Sequence, residues 1–171
     1  DMPVRLDYRL IEEYIPHGSR VLDLGCGKGE LLEVLIREKE VEGIGIDIDR
    51  NAAQECVRRG VPLYHGDMLE GMAIFSDNSF DCVVLSQTLQ QAREPAKVVR
   101  EMLRVGKKAV ISFPNYAYWK TRLELLLRGR KPVNGLLNHP WHSTPNIHNL
   151  TIKDFLRLCR QENYHVSDAV Y

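Results

Sequence analysis

Short apolar runs alternate along this chain with segments whose apolar residues recur every three or four positions. Val21-Leu22-Asp23-Leu24 is a compact apolar run broken by glycines, which predicts a buried strand. Residues 30–39 follow with Leu31, Leu32, Leu35 and Ile36 at helical spacing. Residues 43–48 predict a second strand, and Asp49 is placed to cap a helix through Arg59 that stops at Gly60. A short third strand is predicted over 61–64, a fourth over 80–85 and a fifth over 107–113. Between the last two, Pro95 opens a helix that aligns Val98, Val99, Met102 and Leu103 on one face and ends at Gly106. A leading helix is predicted over 6–15, stopped by Pro16-His17-Gly18.

Strands and helices in alternation predict an α/β fold with a central parallel sheet covered by helices on both faces. Beyond Pro114 the alternation stops. Residues 114–150 crowd Tyr116, Tyr118, Trp119 and Trp141 with Gly129, Pro132, Gly135, Pro140 and Pro145, and read as an irregular aromatic and proline-rich excursion. Within it Tyr116, Trp119, Leu123 and Leu126 are spaced for one helix face. Thr151-x-x-Asp154 resembles a capping box opening a helix to Glu162, and a last strand is predicted over 164–170. The expectation is one domain over residues 1–171.

Composition narrows the function classes. The 171 residues hold 23 Lys plus Arg against 23 Asp plus Glu, so the electrostatic signature of a nucleic-acid binder is missing. Four scattered cysteines (Cys26, Cys56, Cys82, Cys159) form no C-x-x-C pair, which fits a reduced compartment. No apolar stretch reaches membrane-spanning length, and no basic segment followed by an apolar one opens the chain. A cytoplasmic protein with neither nucleic acid nor membrane as partner is the expectation. His139, His142 and His148 lack helical spacing or a neighbouring cysteine, so no metal is expected there. The cluster Arg128-Gly129-Arg130-Lys131 reads as a solvated loop.

The chemistry concentrates at strand ends. Gly25, Cys26 and Gly27 follow the first strand, where open α/β sheets bind ligands against main-chain atoms. The spacing is G-x-G-x-G, with Glu30 where a dinucleotide fingerprint has its third glycine. A carboxylate there opposes a pyrophosphate at the helix N-terminus, so a ligand without phosphate fits better. Asp47 ends the second strand, where an acidic side chain can accept both hydroxyls of a ribose. Asp67 follows the third strand beside Met68, a pair able to accept an adenine amino group and to pack under its ring. Ser86-Gln87-Thr88 follow the fourth strand, as site residues or as turn-formers.

Together these segments resemble the class I S-adenosylmethionine-dependent methyltransferases. V-L-D-L-G-C-G-K-G-E is similar to their first motif, G-I-D-I-D to the acidic second-strand motif and G-D-M to the adenine-side motif, while F-D-C-V-V-L-S and L-R-V-G-K match the fourth strand and the approach to the fifth. The segments S-F-P-N-Y-A-Y-W-K, G-R-K-P-V and W-H-S-T-P-N-I-H-N-L-T-I-K-D-F narrow the resemblance to the MetW family of methionine biosynthesis. The resemblance implies S-adenosylmethionine or S-adenosylhomocysteine as ligand. Gly25, Cys26, Gly27 and Gly29 would line its amino-acid end, Asp47 would hold the ribose, and Asp67 with Met68 the adenine. Asp23, Ile48, Ser86 and Gln87 complete the implied cofactor-binding set.

Folds of this type close with a seventh, antiparallel strand, so the sheet is expected to lack its last strand here, whether as a shorter sheet or in a fragment of a longer chain. No acceptor-site motif marks a catalytic residue. Two functions stay open. One is methyl transfer to a small metabolite or protein, with Tyr116, Tyr118, Trp119, His142 and Asn146 as acceptor-side candidates. The other, implied by the family, is support of a homoserine O-acyltransferase as a complex partner, with residues 114–150 as the interaction surface.

Overall fold

The computed structural model describes residues 6–133, 137 and 139–170. They divide into two compact units, the chain up to Leu89 with Glu94–Ser112, and Gln90–Arg93 with the chain from Phe113.

The first unit is built on five parallel strands: β1 (Arg20–Leu24), β2 (Glu42–Asp47), β3 (Leu63–His65), β4 (Cys82–Ser86) and β5 (Ala109–Ser112). Their order across the sheet is β3-β2-β1-β4-β5. The chain winds outward from β1 through β2 to β3, then returns to the other side of β1 for β4 and β5. The order therefore reverses between β1 and β4, which makes the carboxyl ends of those two strands the switch point where such sheets take ligands. β1 is central, and its Val21, Leu22 and Leu24 are fully buried. Burial on both faces explains why β1 reads as an apolar run instead of an alternation.

Helices α1 (Leu6–Tyr14), α2 (Glu30–Lys39), α3 (Arg50–Arg58), α4 (Met68–Ala73) and α5 (Pro95–Val105) complete this unit. The predicted boundaries of α2, α3 and α5 hold to within a residue, because each carries its own stop or start signal. Asp49 accepts the Asn51 N–H as the cap of α3, and Pro95 opens α5, which buries Val98, Val99, Met102 and Val105. α4 has no counterpart in the sequence reading. Gly71 at its centre lowers helix propensity, yet a Cβ there would stand 2.7 Å from Ile46 Cδ1 and 3.0 Å from Tyr64 Cδ1. Close docking of α4 on the sheet requires the glycine, and tertiary packing overrides propensity.

Asp81, just before β4, ties three segments together. It accepts the Arg20 backbone N–H at 2.9 Å and the Lys107 ammonium at 2.8 Å. The Arg20 N–H first, then Lys107, hold its carboxyl below the usual carboxylate range. A lowered folded-state pKa contributes stability above the unfolded value of about 3.9, which is lost as pH falls through the folded value. Asp81→Asn should therefore lower the urea midpoint at neutral pH, and the gap to wild type should close below about pH 4.

The second unit contains α6 (Trp119–Arg128) and α7 (Ile152–Gln161). The Thr151 hydroxyl accepts the Asp154 N–H and donates to Asp154 Oδ2, so Thr151 is the N-cap expected at the start of α7. Phe113 packs on Phe155 with ring centroids 5.2 Å apart, and the Tyr116 N–H bonds Leu150 O at 3.0 Å. Ile147 and His148 both donate backbone N–H groups to Gln90 O, and His148 Nε2 lies 3.0 Å from Ala92 O. That contact makes Nε2 the protonated nitrogen and gives His148 a clasping role on 90–92. Gly135 lies outside the described residues.

Two expectations fail in this unit. Residues 164–170 form no strand: Asp168 breaks the alternation and accepts the Ala169 N–H at 2.8 Å, a local bond that competes with a ladder. The helix expected to carry Tyr116, Trp119, Leu123 and Leu126 on one face forms over the last three only, since Tyr116 precedes α6; Leu126 is 81% exposed and Thr121 is the buried residue of α6. Among the described residues, no helix is long and apolar enough to cross a membrane, and no cluster of three His, Cys, Asp or Glu could hold a metal ion.

Candidate functional site

A cavity of about 290 Å³ opens at the switch point, lined by Tyr8, Asp23, Gly25, Cys26, Gly27, Lys28, Glu30, Leu31 and Ser86. Its floor is the turn from β1 into α2. Gly25, Gly27 and Gly29 all take positive φ (65°, 54° and 76°), a conformation that L side chains disfavour. Gly25 and Cys26 both donate N–H groups to Ile46 O, which folds the turn back on the end of β2.

Asp47 secures the other side of that turn. Its Oδ2 accepts the Gly27 N–H at 2.7 Å and its Oδ1 the Asp49 N–H at 2.8 Å. A carboxylate has about four lone-pair sites, so each oxygen retains capacity for a further donor such as a hydroxyl. Ile48 follows, 72% exposed. Asp23 lies beneath the turn and is 2% exposed.

Ser86, at the end of β4, bounds the cavity, and Gln87 follows it outside the lining. Ser86 Oγ donates to Asp7 Oδ2 of α1 at 3.1 Å, and the Thr88 hydroxyl donates to Ser86 O at 2.8 Å. Gln87 is held at φ 54°, in the left-handed region, by its N–H bond to Ser112 O at 2.9 Å. Backbone strain in a non-glycine residue at a strand end is common where a ligand is received.

The structure thus brings Asp23, Gly25, Cys26, Gly27 and Ser86 together on one cavity, with Asp47 bonded to its turn. Gly29 is the N-cap of α2. Asp67 and Met68 lie beyond β3, outside the cavity lining, where Asp67 Oδ1 accepts the Leu69 N–H as the cap of α4. Tyr116, Tyr118, Trp119, His142 and Asn146 all belong to the second unit. Tyr8, Lys28 and Leu31 line the cavity without having been singled out from the sequence. Lys28 lies within the glycine motif and Leu31 just after it, and both are legible from it in retrospect. Nothing in the pattern of α1 links Tyr8 to strand ends far along the chain.

Acidic and basic side chains meet at the α2 end of the cavity. Glu30 lines the cavity in the first turn of α2, its carboxylate 3.8 Å from Arg59 Nη2, and Arg59 also pairs with Glu33. The positive end of the α2 dipole therefore already faces protein carboxylates. The Cys26 thiol is pushed up from its ordinary range by burial first, then by Asp23, Cys56 and Asp47. Such a thiol is held mainly in its protonated form, which slows its reactions.

A family model described as methionine biosynthesis protein MetW matches residues 5–171. The bifunctional methionine biosynthesis protein MetXA/MetW of Rhodopirellula baltica is 36% identical over 180 residues, covering 100% of this chain and 29% of that protein. The ubiquinone biosynthesis O-methyltransferase of Sodalis glossinidius is 34% identical over 109 residues, 61% of this chain and 44% of the relative. The chain thus spans less than half the length of either curated relative. Among solved structures, a SAM-dependent methyltransferase from Archaeoglobus fulgidus aligns with a TM-score of 0.68 at 21% identity, over 91% of this chain and 66% of that one. Another from Aquifex aeolicus aligns with 0.67 at 19%, over 99% and 87%. At these identities the solved structures establish the fold, a Rossmann-like methyltransferase fold.

Proposed function

The chain belongs to the MetW family, and from that premise we propose that its switch-point cavity binds S-adenosylmethionine or S-adenosylhomocysteine and that the protein supports a homoserine O-acyltransferase as a complex partner. The bond from the Gly27 N–H to Asp47 carries the ligand reading, because it fixes a carboxylate of remaining acceptor capacity beside a bare-backbone turn. Gly25, Cys26 and Gly27, over Asp23, would hold the amino-acid end, with Gly29 shaping the turn behind them. Asp47 and Ile48 would take the ribose, Asp67 and Met68 the adenine, while Ser86 and Gln87 would close the cavity from β4. The cofactor carries no phosphate, which agrees with Glu30 at the α2 N-terminus. When bound it supplies a methyl group on a cationic sulfonium, and this chain's residues contribute orientation and exclusion of water.

The partner reading rests on the fused relative, whose printed name joins MetXA to MetW in one protein. Fusion gives the two moieties a high effective concentration, which separate chains achieve by forming a complex. The test uses tagged protein expressed beside a homoserine O-acyltransferase. Co-purification in stoichiometric amount, with higher acyltransferase activity in the complex and no methyl incorporated from labelled S-adenosylmethionine into either protein, is the expected result. Separate elution with unchanged acyltransferase activity overturns the partner role. Methyl incorporation into an acceptor would make the chain an active methyltransferase instead.

A further inference from the structure

Two buried thiols meet directly beneath the glycine turn. Cys26, on the cavity wall, and Cys56, in α3, have their sulfurs 4.0 Å apart although 30 residues separate them in sequence. Neither is in a disulfide, and they are 6% and 0% exposed. The Cys56 thiol points at the turn itself, donating to Gly27 O at 3.2 Å. Cys82 and Cys159 are buried elsewhere and pair with neither. The binding reading uses only the main chain at Cys26, so it leaves this sulfur pair unexplained.

We propose that Cys26 and Cys56 are a redox-sensitive pair that a hydroperoxide converts reversibly to a disulfide, pinning the glycine turn to α3. The Cys26 sulfur packs toward Gly45 and Cys56, so a small oxidant reaches it through local opening of the glycine turn. The Cys26 thiolate attacks the peroxide, breaking the O–O bond and forming a sulfenic acid with release of hydroxide. The Cys56 thiolate then attacks the sulfenic sulfur, forming the S–S bond and expelling hydroxide; each hydroxide takes up the proton its thiol had lost, so the pair yields two waters from one peroxide and two thiols. A dithiol returns the pair to the reduced form.

Disulfide sulfurs stand about 2.0 Å apart, so closure draws the pair together by about 2 Å. The flanking Gly25 and Gly27 allow the turn to give, and a Cβ at Gly27 would touch nothing within 4 Å. Movement of the turn disturbs the Gly27–Asp47 bond, and with it the cavity described above. Burial raises both thiols above their ordinary range, so the reaction is slow in the closed protein. It responds to sustained oxidant, and a ligand filling the cavity shields Cys26. The effect on binding rests on the proposed cofactor reading; the disulfide itself does not.

The experiment treats the intact protein with hydrogen peroxide and maps its peptides without reduction. The expected product is a Cys26–Cys56 linked peptide, two hydrogens lighter than the separate pair and released by dithiothreitol. Faster exchange of the Gly27 amide, released from Asp47, should accompany it. Reduced protein should bind S-adenosylmethionine at least tenfold more tightly than oxidised protein, whereas Cys56→Ala should bind equally before and after peroxide and trap Cys26 as a dimedone-reactive sulfenic acid. Recovery of Cys26 and Cys56 unlinked overturns the proposal, whether as free thiols or as sulfinic acids. If Cys56→Ala does not fold, the wild-type map decides alone. A linked peptide in a protein that binds no S-adenosylmethionine when reduced sustains the thiol pair and rejects the cofactor.

Discussion

Gly25→Ala is expected to cost about 2–5 kcal/mol of folding stability, from left-handed backbone strain of about 1–2 kcal/mol and overpacking of about 1–3 kcal/mol. Gly25 sits at φ 65°, and an added Cβ would lie 2.9 Å from both Thr88 Cγ2 and Thr88 Oγ1 and 3.3 Å from Thr88 Cβ. Thr88 cannot swing away cheaply. Its β-branched side chain has few rotamers, and its hydroxyl donates to Ser86 O at 2.8 Å. The substitution therefore pushes the β1–α2 turn away from the end of β4, the two segments that bound the cavity. Urea denaturation followed by circular dichroism reads the loss. A shift equivalent to less than about 1 kcal/mol would show that the turn relaxes and that the close approach to Thr88 is incidental.

Asp47→Ala should leave the fold and weaken S-adenosylmethionine binding by roughly a hundredfold, equivalent to about 3 kcal/mol. The variant removes charged acceptors for two ribose hydroxyls, and it leaves the Gly27 and Asp49 N–H groups without the carboxylate they bond at 2.7 and 2.8 Å. Asn is the informative control. Asp47→Asn can present one oxygen to Gly27 but loses the charge and one acceptor, so its affinity should fall between those of the wild type and the alanine variant. Equal affinity for all three would remove Asp47 from the site. A loss in Asp47→Ala with a collapsed circular dichroism spectrum would assign the residue to folding of the turn alone.

The sheet and its helices were legible wherever local signals agreed with tertiary demand. β1, α2, α3 and α5 each join an apolar period to a cap, a glycine or a proline, and the structure places them within a residue of expectation. Legibility failed where packing contradicted local preference. α4 forms in spite of Gly71 because its backbone must approach Ile46 and Tyr64. Residues 164–170 have apolar positions suggestive of a strand, yet the Asp168 side chain takes up the Ala169 N–H and no ladder forms among the described residues. In α6 the period held for Trp119, Leu123 and Leu126 while Tyr116 lies before the helix, and an apolar stripe gives spacing without saying what, if anything, covers it.

The candidate site divides in the same way. Glycines and acids at strand ends announce themselves, because only certain residue types tolerate positive φ or serve as anionic acceptors at such positions. Tyr8 does not, since its place on the cavity comes from the docking of α1, which also brings Asp7 to Ser86. Asp67 was read as a ligand group from its place after β3, and the structure shows a cap contact with Leu69 as well. Glu30 was informative at both levels. In sequence it stands where a third glycine would sit, and in the structure it lines the cavity at the α2 N-terminus.

The central claim is an adenosyl cavity without a phosphate subsite. Calorimetric titration of the reduced full chain with S-adenosylmethionine and, separately, with NAD tests it most directly. One S-adenosylmethionine should bind per chain, displaceable by S-adenosylhomocysteine, with no measurable heat from NAD. No binding of S-adenosylmethionine, or tighter binding of NAD, would contradict it.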